Sequence, residues 1–98
     1  MTPLGSDRER LRAVCERYGI ATLEVFGSVA RGEAGEGSDV DLLYTLAPDA
    51  RLGWEIEDLA DELSVLFGRP VDLVARSALH SRFRDQVLLE AEPIYAAA

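Results

Sequence analysis

The sequence predicts an α/β domain (α+β in its connectivity): a small mixed β-sheet with helices packed on it. Three observations carry this expectation. Short β-prone runs at Thr22–Phe26, Asp39–Tyr44 and Val71–Ala75 are bounded by glycine or proline. The strongest helical periodicity of the chain lies between the second and third runs. The length, 98 residues of which 48% are apolar, leaves room for one compact core and little more.

Taken in order, Leu11, Val14, Cys15 and Tyr18 recur at helical spacing, with Ser6 as N-cap and Glu9 three residues on, so a first helix is expected from Ser6 to Tyr18, ended by Gly19. The run Thr22–Phe26 follows and stops at a loop containing Gly27, Gly32, Gly35 and Gly37. From Asp39 to Tyr44 the chain alternates again, with Asp39 and Asp41 on one side and Val40 and Leu42 on the other. These two strands are expected to pair antiparallel. After a turn at Ala47-Pro48-Asp49, the residues Leu52, Ile56, Leu59, Ala60, Leu63, Leu66 and Phe67 mark one helix face, and Gly68 and Pro70 terminate it. The strand Val71–Ala75, reached by that helix, is expected to lie parallel to the second strand in a right-handed βαβ unit. A last helix is predicted from Ser81 to Ala91, with Phe83, Val87 and Ala91 on one side, and Pro93–Ala96 reads as an edge strand.

Composition narrows the function classes. Eighteen acidic against ten basic residues give a net charge of −8, which disfavours sequence-independent nucleic-acid binding. All ten cations are arginine, a choice that suits bidentate phosphate recognition but equally follows from genomic base composition. No run of about 18 apolar residues could span a bilayer, and the start of the chain lacks the apolar stretch of a signal peptide. A soluble, cytoplasmic protein is expected, and the single cysteine, Cys15, suits a reducing compartment.

The chemistry concentrates at three places. Strand alternation puts Asp39 and Asp41 on one face, with Cα atoms roughly 6.6 Å apart. Asp72 sits in the apolar run Val71-Asp72-Leu73-Val74, and it joins the first two if its strand pairs beside theirs. Two unit charges about 4 Å apart repel by around 4 kcal/mol at an effective dielectric constant near 20, so three gathered carboxylates call for a cation. Mg²⁺ fits, because it takes hard oxygen ligands and completes its octahedron with water and phosphate oxygens. At Gly27-Ser28 a strand ends where a short helical turn through Arg31 can begin; its backbone N–H groups and the Ser28 hydroxyl can face an anion. Each element alone has an ordinary alternative. A Gly-Ser at a strand end is commonly a turn, an Asp-x-Asp a solvated strand edge, and an aspartate in an apolar strand the partner of an arginine.

Together, Gly-Ser, ten residues, Asp-x-Asp and a third Asp in a later strand resemble the signature of the DNA polymerase β-like nucleotidyltransferase superfamily. The strings Phe26-Gly27-Ser28-Val29-Ala30-Arg31-Gly32-Glu33 and Gly37-Ser38-Asp39-Val40-Asp41-Leu42-Leu43 are similar to those of its smallest branch, the minimal nucleotidyltransferases, over roughly residues 20 to 96. The resemblance implies a polymerase β-like palm, with residues 1–98 as a single minimal nucleotidyltransferase domain. It implies that Gly27 and Ser28 contact the triphosphate of ATP, that Asp39 and Asp41 ligate two Mg²⁺ ions, and that Asp72 completes the metal and base set. Many members carry an arginine directly after the serine, where this chain has Val29; Arg31 either compensates or forms an outward salt bridge to Glu33 or Glu36. The resemblance further implies a HEPN-domain toxin as partner, the chain acting as antitoxin by transferring AMP from ATP to a tyrosine on it. The alternatives are a non-catalytic antitoxin that neutralises its partner by complex formation, and transfer to a small molecule or RNA end, which generally requires a further substrate domain.

Among the remaining residues, Trp54 stands off the apolar helix face, where it either marks a partner surface or packs on a loop. Cys15 is expected in the core, His80 at the surface or as a cap, and Tyr18, Tyr44 and Tyr95 in packing. The acidic run Glu55–Glu62 reads as a solvated helix face that could also meet a basic partner.

Overall fold

The computed structural model describes residues 4–32, 39–79 and 81–97. Helix α1 (Leu4–Tyr18) leads into strand β1 (Ile20–Phe26), the one-turn helix α2 (Gly27–Ala30), strand β2 (Val40–Leu46) and helix α3 (Glu55–Phe67). Strand β3 (Val71–Ala75), a 3₁₀ turn (Arg76–Ala78), helix α4 (Ser81–Glu90) and strand β4 (Glu92–Ala96) complete the order. The four strands form one sheet, β3-β2-β1-β4, in which β1 runs antiparallel to β2 and β4 while β2 and β3 are parallel. This is the mixed sheet that the sequence predicts, with β4 on its expected edge.

Several boundaries differ from expectation: β1 starts at Ile20, β2 runs on to Leu46, α3 starts at Glu55 and leaves Leu52 before it, and α4 ends at Glu90. Two further shifts concern residues given a role in the sequence. Helix α1 begins at Leu4, so Ser6 lies inside it and is not its N-cap. An interior serine disfavours a helix by only about 0.5 kcal/mol and does not set the boundary. Strand β2 begins at Val40, so Asp39 stands just before the ladder. At the far end of α3 the helix stops as expected: Gly68 adopts the left-handed conformation (φ 69°), and its N–H donates to the Ser64 carbonyl at 2.9 Å.

One face of the sheet carries the core. Leu23, Val40 and Leu42 meet Leu11, Val14 and Cys15 of α1 and Leu59 and Leu63 of α3 in a single buried cluster. Cys15 has no exposed surface, and burial, reinforced by Glu16, pushes its thiol up to about 12, which makes it an unreactive core residue. Phe67, the last residue of the predicted apolar series, is 36% exposed because α3 ends there, beyond the packed cluster. The acidic face of α3 is also less uniform than the sequence suggests. Glu62 accepts hydrogen bonds from the Tyr18 hydroxyl and from Arg17 (2.6 Å), which ties α3 to α1. Among the described residues, no helix is long and apolar enough to cross a membrane.

The opposite face is covered more lightly, by α2 and the 3₁₀ turn against β2 and by α4 against β1. It is this thinner side that carries Asp41 and Asp72. Leu63 has no exposed surface and joins α3 to the sheet. Leu63→Ala is therefore expected to lower unfolding free energy by about 2–5 kcal/mol in urea titration; a loss below about 1 kcal/mol would contradict this placement of the core.

Candidate active site

The site begins where β1 ends. Gly27 has φ 76°, a conformation that residues with a Cβ rarely adopt, and a Cβ built there would overlap the Asp41 carboxylate. The turn of α2 is closed by the Arg31 N–H donating to the Gly27 carbonyl at 3.1 Å. Glycine thus lets the chain reverse from strand into helix while pressing its backbone against an acidic side chain. The Ser28 backbone belongs to this turn.

The carboxylates come from the paired starts of β2 and β3. The parallel register matches Val40 with Val71 and Asp41 with Asp72, so the two aspartates stand side by side on one face, on strands about 4.8 Å apart. This register is held at its origin. The Val40 N–H donates to the Pro70 carbonyl at 2.8 Å, and the Val71 N–H donates to the Ser64 hydroxyl at 3.0 Å. That hydroxyl in turn donates to the Ala60 carbonyl at 2.8 Å, so α3 sets the starting point of β3. Asp39, two residues before Asp41, is exposed, as is Asp72, whereas Asp41 is half-buried between them and Gly27.

The electrostatics follow from that placement. Burial first, then the charges of Asp72 and Asp39, hold the Asp41 carboxyl above its ordinary 3.8, while Arg31 opposes them. Among the described residues no three acidic, thiol or imidazole side chains are grouped so as to hold a metal ion. Asp41 and Asp72, side by side, present hard carboxylate oxygens of the kind that Mg²⁺ takes alongside water and phosphate oxygens.

Two arginines flank the acidic face. Arg31 bonds Glu90 on α4, with its Nη1 3.0 and 3.2 Å from the two carboxylate oxygens. The partners expected for it, Glu33 and Glu36, lie outside the described residues, as does His80. Arg76, just after β3, reaches Glu24 on β1 at 3.0 Å. Because Glu24 pairs with Leu43 and Leu43 with Val74, this ion pair spans β2 one step behind the Asp41–Asp72 row. Sequence reasoning missed Ser64, Glu24, Arg76 and Glu90. Each acts through a partner 7 to 59 residues away, and no local spacing signals such contacts. Tyr18, Tyr44 and Tyr95 pack against the core as expected, and Trp54 is 87% exposed at the N-terminus of α3.

A half-buried aspartate thus stands aligned with a second one, beside a glycine turn on a mixed sheet. The model of the nucleotidyltransferase domain matches residues 8–94, and the chain belongs to that family. It is 45% identical over 75 residues to the protein adenylyltransferase MntA of Thermococcus cleftensis, which covers 76% of this chain and 75% of that protein. A solved structure assigned as a minimal nucleotidyltransferase superposes with a TM-score of 0.74 at 43% identity, covering 93% of this chain and 92% of that one. The fold is also that of a chain in the complex of a tri-AMPylated Shewanella oneidensis HEPN toxin with its MNT antitoxin. There the TM-score is 0.65 at 17% identity, over 96% and 73% of the two chains.

Two outcomes test this geometry. Gly27→Ala adds both a strained φ and an overlap with Asp41, so binding of Mg²⁺ with a non-hydrolysable ATP analogue, measured by calorimetry, is expected to weaken at least tenfold; unchanged affinity would remove Gly27 from the site. The raised Asp41 carboxyl has a signed consequence. Its contribution to stability is full below the ordinary value of 3.8 and is lost as pH rises through the raised one. Without divalent cations at pH 7, Asp41→Asn is therefore expected to melt at a higher temperature than the wild type, with the gap closing as pH falls; a lower Tm would contradict the crowding of charge.

Proposed function

We propose that this chain transfers AMP from ATP to a hydroxyl, that of a tyrosine, on a partner HEPN-domain toxin. In this reading it is the antitoxin of a type VII-like toxin–antitoxin pair and works in the cytoplasm, where ATP is available. The observation that carries the reading is the side-by-side register of Asp41 and Asp72 against Gly27. The names of its relatives support the rest: one is a protein adenylyltransferase, and another protein of this fold stands in complex with a toxin carrying AMP.

In this proposal the residues divide the work by burial. Gly27 and the α2 turn receive the triphosphate, to which Ser28 donates its hydroxyl and Arg31 adds positive charge. Asp39 and Asp41, joined by Asp72, would hold two Mg²⁺ ions, which when bound neutralise phosphate charge and align the entering and leaving oxygens. Asp72 is exposed on β3, the strand at the sheet edge, and so is open to a macromolecular acceptor. Its carboxylate takes the proton of the attacking hydroxyl. The hydroxyl oxygen forms a bond to the α-phosphorus as the bond from that phosphorus to the β-phosphate bridging oxygen breaks, and pyrophosphate leaves. Half-buried Asp41 lies under the phosphates, where protein displaces water and electrostatic interactions are stronger.

With Mg²⁺ and α-labelled ATP, the product of the neighbouring gene should acquire label on a tyrosine. Asp41→Ala should reduce that labelling on the order of 10²-fold or more, as expected for a group acting in the transition state. An unlabelled partner in a correctly folded pair, or full labelling by Asp41→Ala, would overturn the proposal. Neutralisation that survives Asp39→Ala with Asp41→Ala would instead indicate a binding antitoxin acting by occlusion.

A further inference from the structure

The proposed site uses residues from β1, α2, β2 and β3, yet the structure joins it to a fifth part of the chain. Strand β4 pairs antiparallel with β1, placing Glu92 opposite Val25, one residue before Phe26 and two before Gly27. Glu90, the last residue of α4, therefore arrives beside α2, and its two carboxylate oxygens take the Arg31 guanidinium at 3.0 and 3.2 Å. The Glu90 side chain is 21% exposed and that of Arg31 41%, so the pair is partly withdrawn from water. Arg31 in turn closes the α2 turn through its backbone N–H on Gly27 and is near enough to Asp41 for its charge to act on that carboxyl.

We propose that Glu90 is a positioning residue for nucleotide binding: it holds the Arg31 guanidinium at the phosphate end of the site and couples the α4–β4 segment to the α2 turn. The inference rests on the nucleotide-binding reading above. A long arginine side chain loses substantial rotamer freedom when fixed on a ligand. A carboxylate that already restrains it lowers that loss and keeps the charge where the triphosphate arrives. A two-oxygen acceptor suits this task better than a neutral amide, because the charge-assisted bonds are shorter and about twice as strong. The pair also gives an arginine whose charge reaches Asp41 an anchor on the side of α4.

The test separates positioning from simple structural support. Glu90→Gln keeps the shape of the side chain and removes its charge. It is expected to raise the KM for ATP about tenfold with kcat changed less than about threefold, and to weaken binding of Mg²⁺ with a non-hydrolysable ATP analogue by a similar factor, about 1.4 kcal/mol. The exchange variant Arg31→Glu with Glu90→Arg restores an ion pair between α2 and α4 but moves the guanidinium onto α4. Its Tm is expected to return towards the wild type while its KM for ATP stays raised. If Glu90→Gln binds the analogue as the wild type does, or if the exchange restores KM together with Tm, the pair is structural support alone and the inference falls. Should Glu90→Gln fail to fold, Glu90→Asp, which keeps the charge on a shorter stem, takes its place: a raised KM for ATP with kcat held supports the inference, and an unchanged KM overturns it. Asp41→Ala, assayed alongside, reports on the underlying reading: if it binds and transfers nucleotide like the wild type, the nucleotide site itself is wrong, independently of Glu90.

Discussion

The whole active face depends on one adverse contact, the alignment of Asp41 and Asp72 across the parallel β2–β3 pair. Neither carboxylate stabilises the other. Their register is imposed by the core, where Val40 and Leu42 of β2 pack with Leu59 and Leu63 of α3, and by hydrogen bonds at the strand starts through Pro70 and Ser64. A one-residue slip in the pairing would flip β3 and carry its apolar residues out of the core. The hydrophobic face of the sheet thus holds the acidic face in an arrangement that charge alone would disperse.

The two faces of the sheet are covered unequally. Helices α1 and α3 cover one face and share its buried core, while among the described elements α2, the 3₁₀ turn and α4 lie against the other. The same asymmetry organises the arginines. Arg17 ties α3 to α1 behind the sheet, whereas Arg31 and Arg76 clamp the working face through Glu90 and Glu24. In a chain of net charge −8, these cations are committed to specific carboxylates on either side of the sheet.

Much of the fold was legible in the sequence because each strand lies between chain-reversing residues and each long helix carries a continuous apolar stripe. The alternation of Asp39-Val40-Asp41-Leu42 sorts acid from core, and the crossover helix that ends at Phe67 favours β3 parallel to β2, which brings Asp72 to Asp41. What was not legible has a common physical basis. The start of α1 lies two residues before Ser6, because capping preferences amount to about 1 kcal/mol and yield to neighbouring structure. Phe67 follows the helical period but leaves the core, since periodicity assigns a face and not the depth at which a helix ends. Glu62, Glu24, Glu90 and Ser64 look like surface polar residues in the sequence; their partners are fixed only when distant elements meet.

Under the proposed function, Asp39, Asp41 and Asp72 would together hold the metal while the Gly27 turn receives phosphate. A crystal structure grown with Mn²⁺ and a non-hydrolysable ATP analogue tests it most directly, since anomalous scattering locates the metal without reference to the protein. The account predicts metal peaks bridging the Asp39 and Asp41 carboxylates and the nucleotide phosphates, with the phosphates against the backbone of Gly27 and Ser28. Nucleotide bound elsewhere, or metal bound away from Asp41, would contradict it.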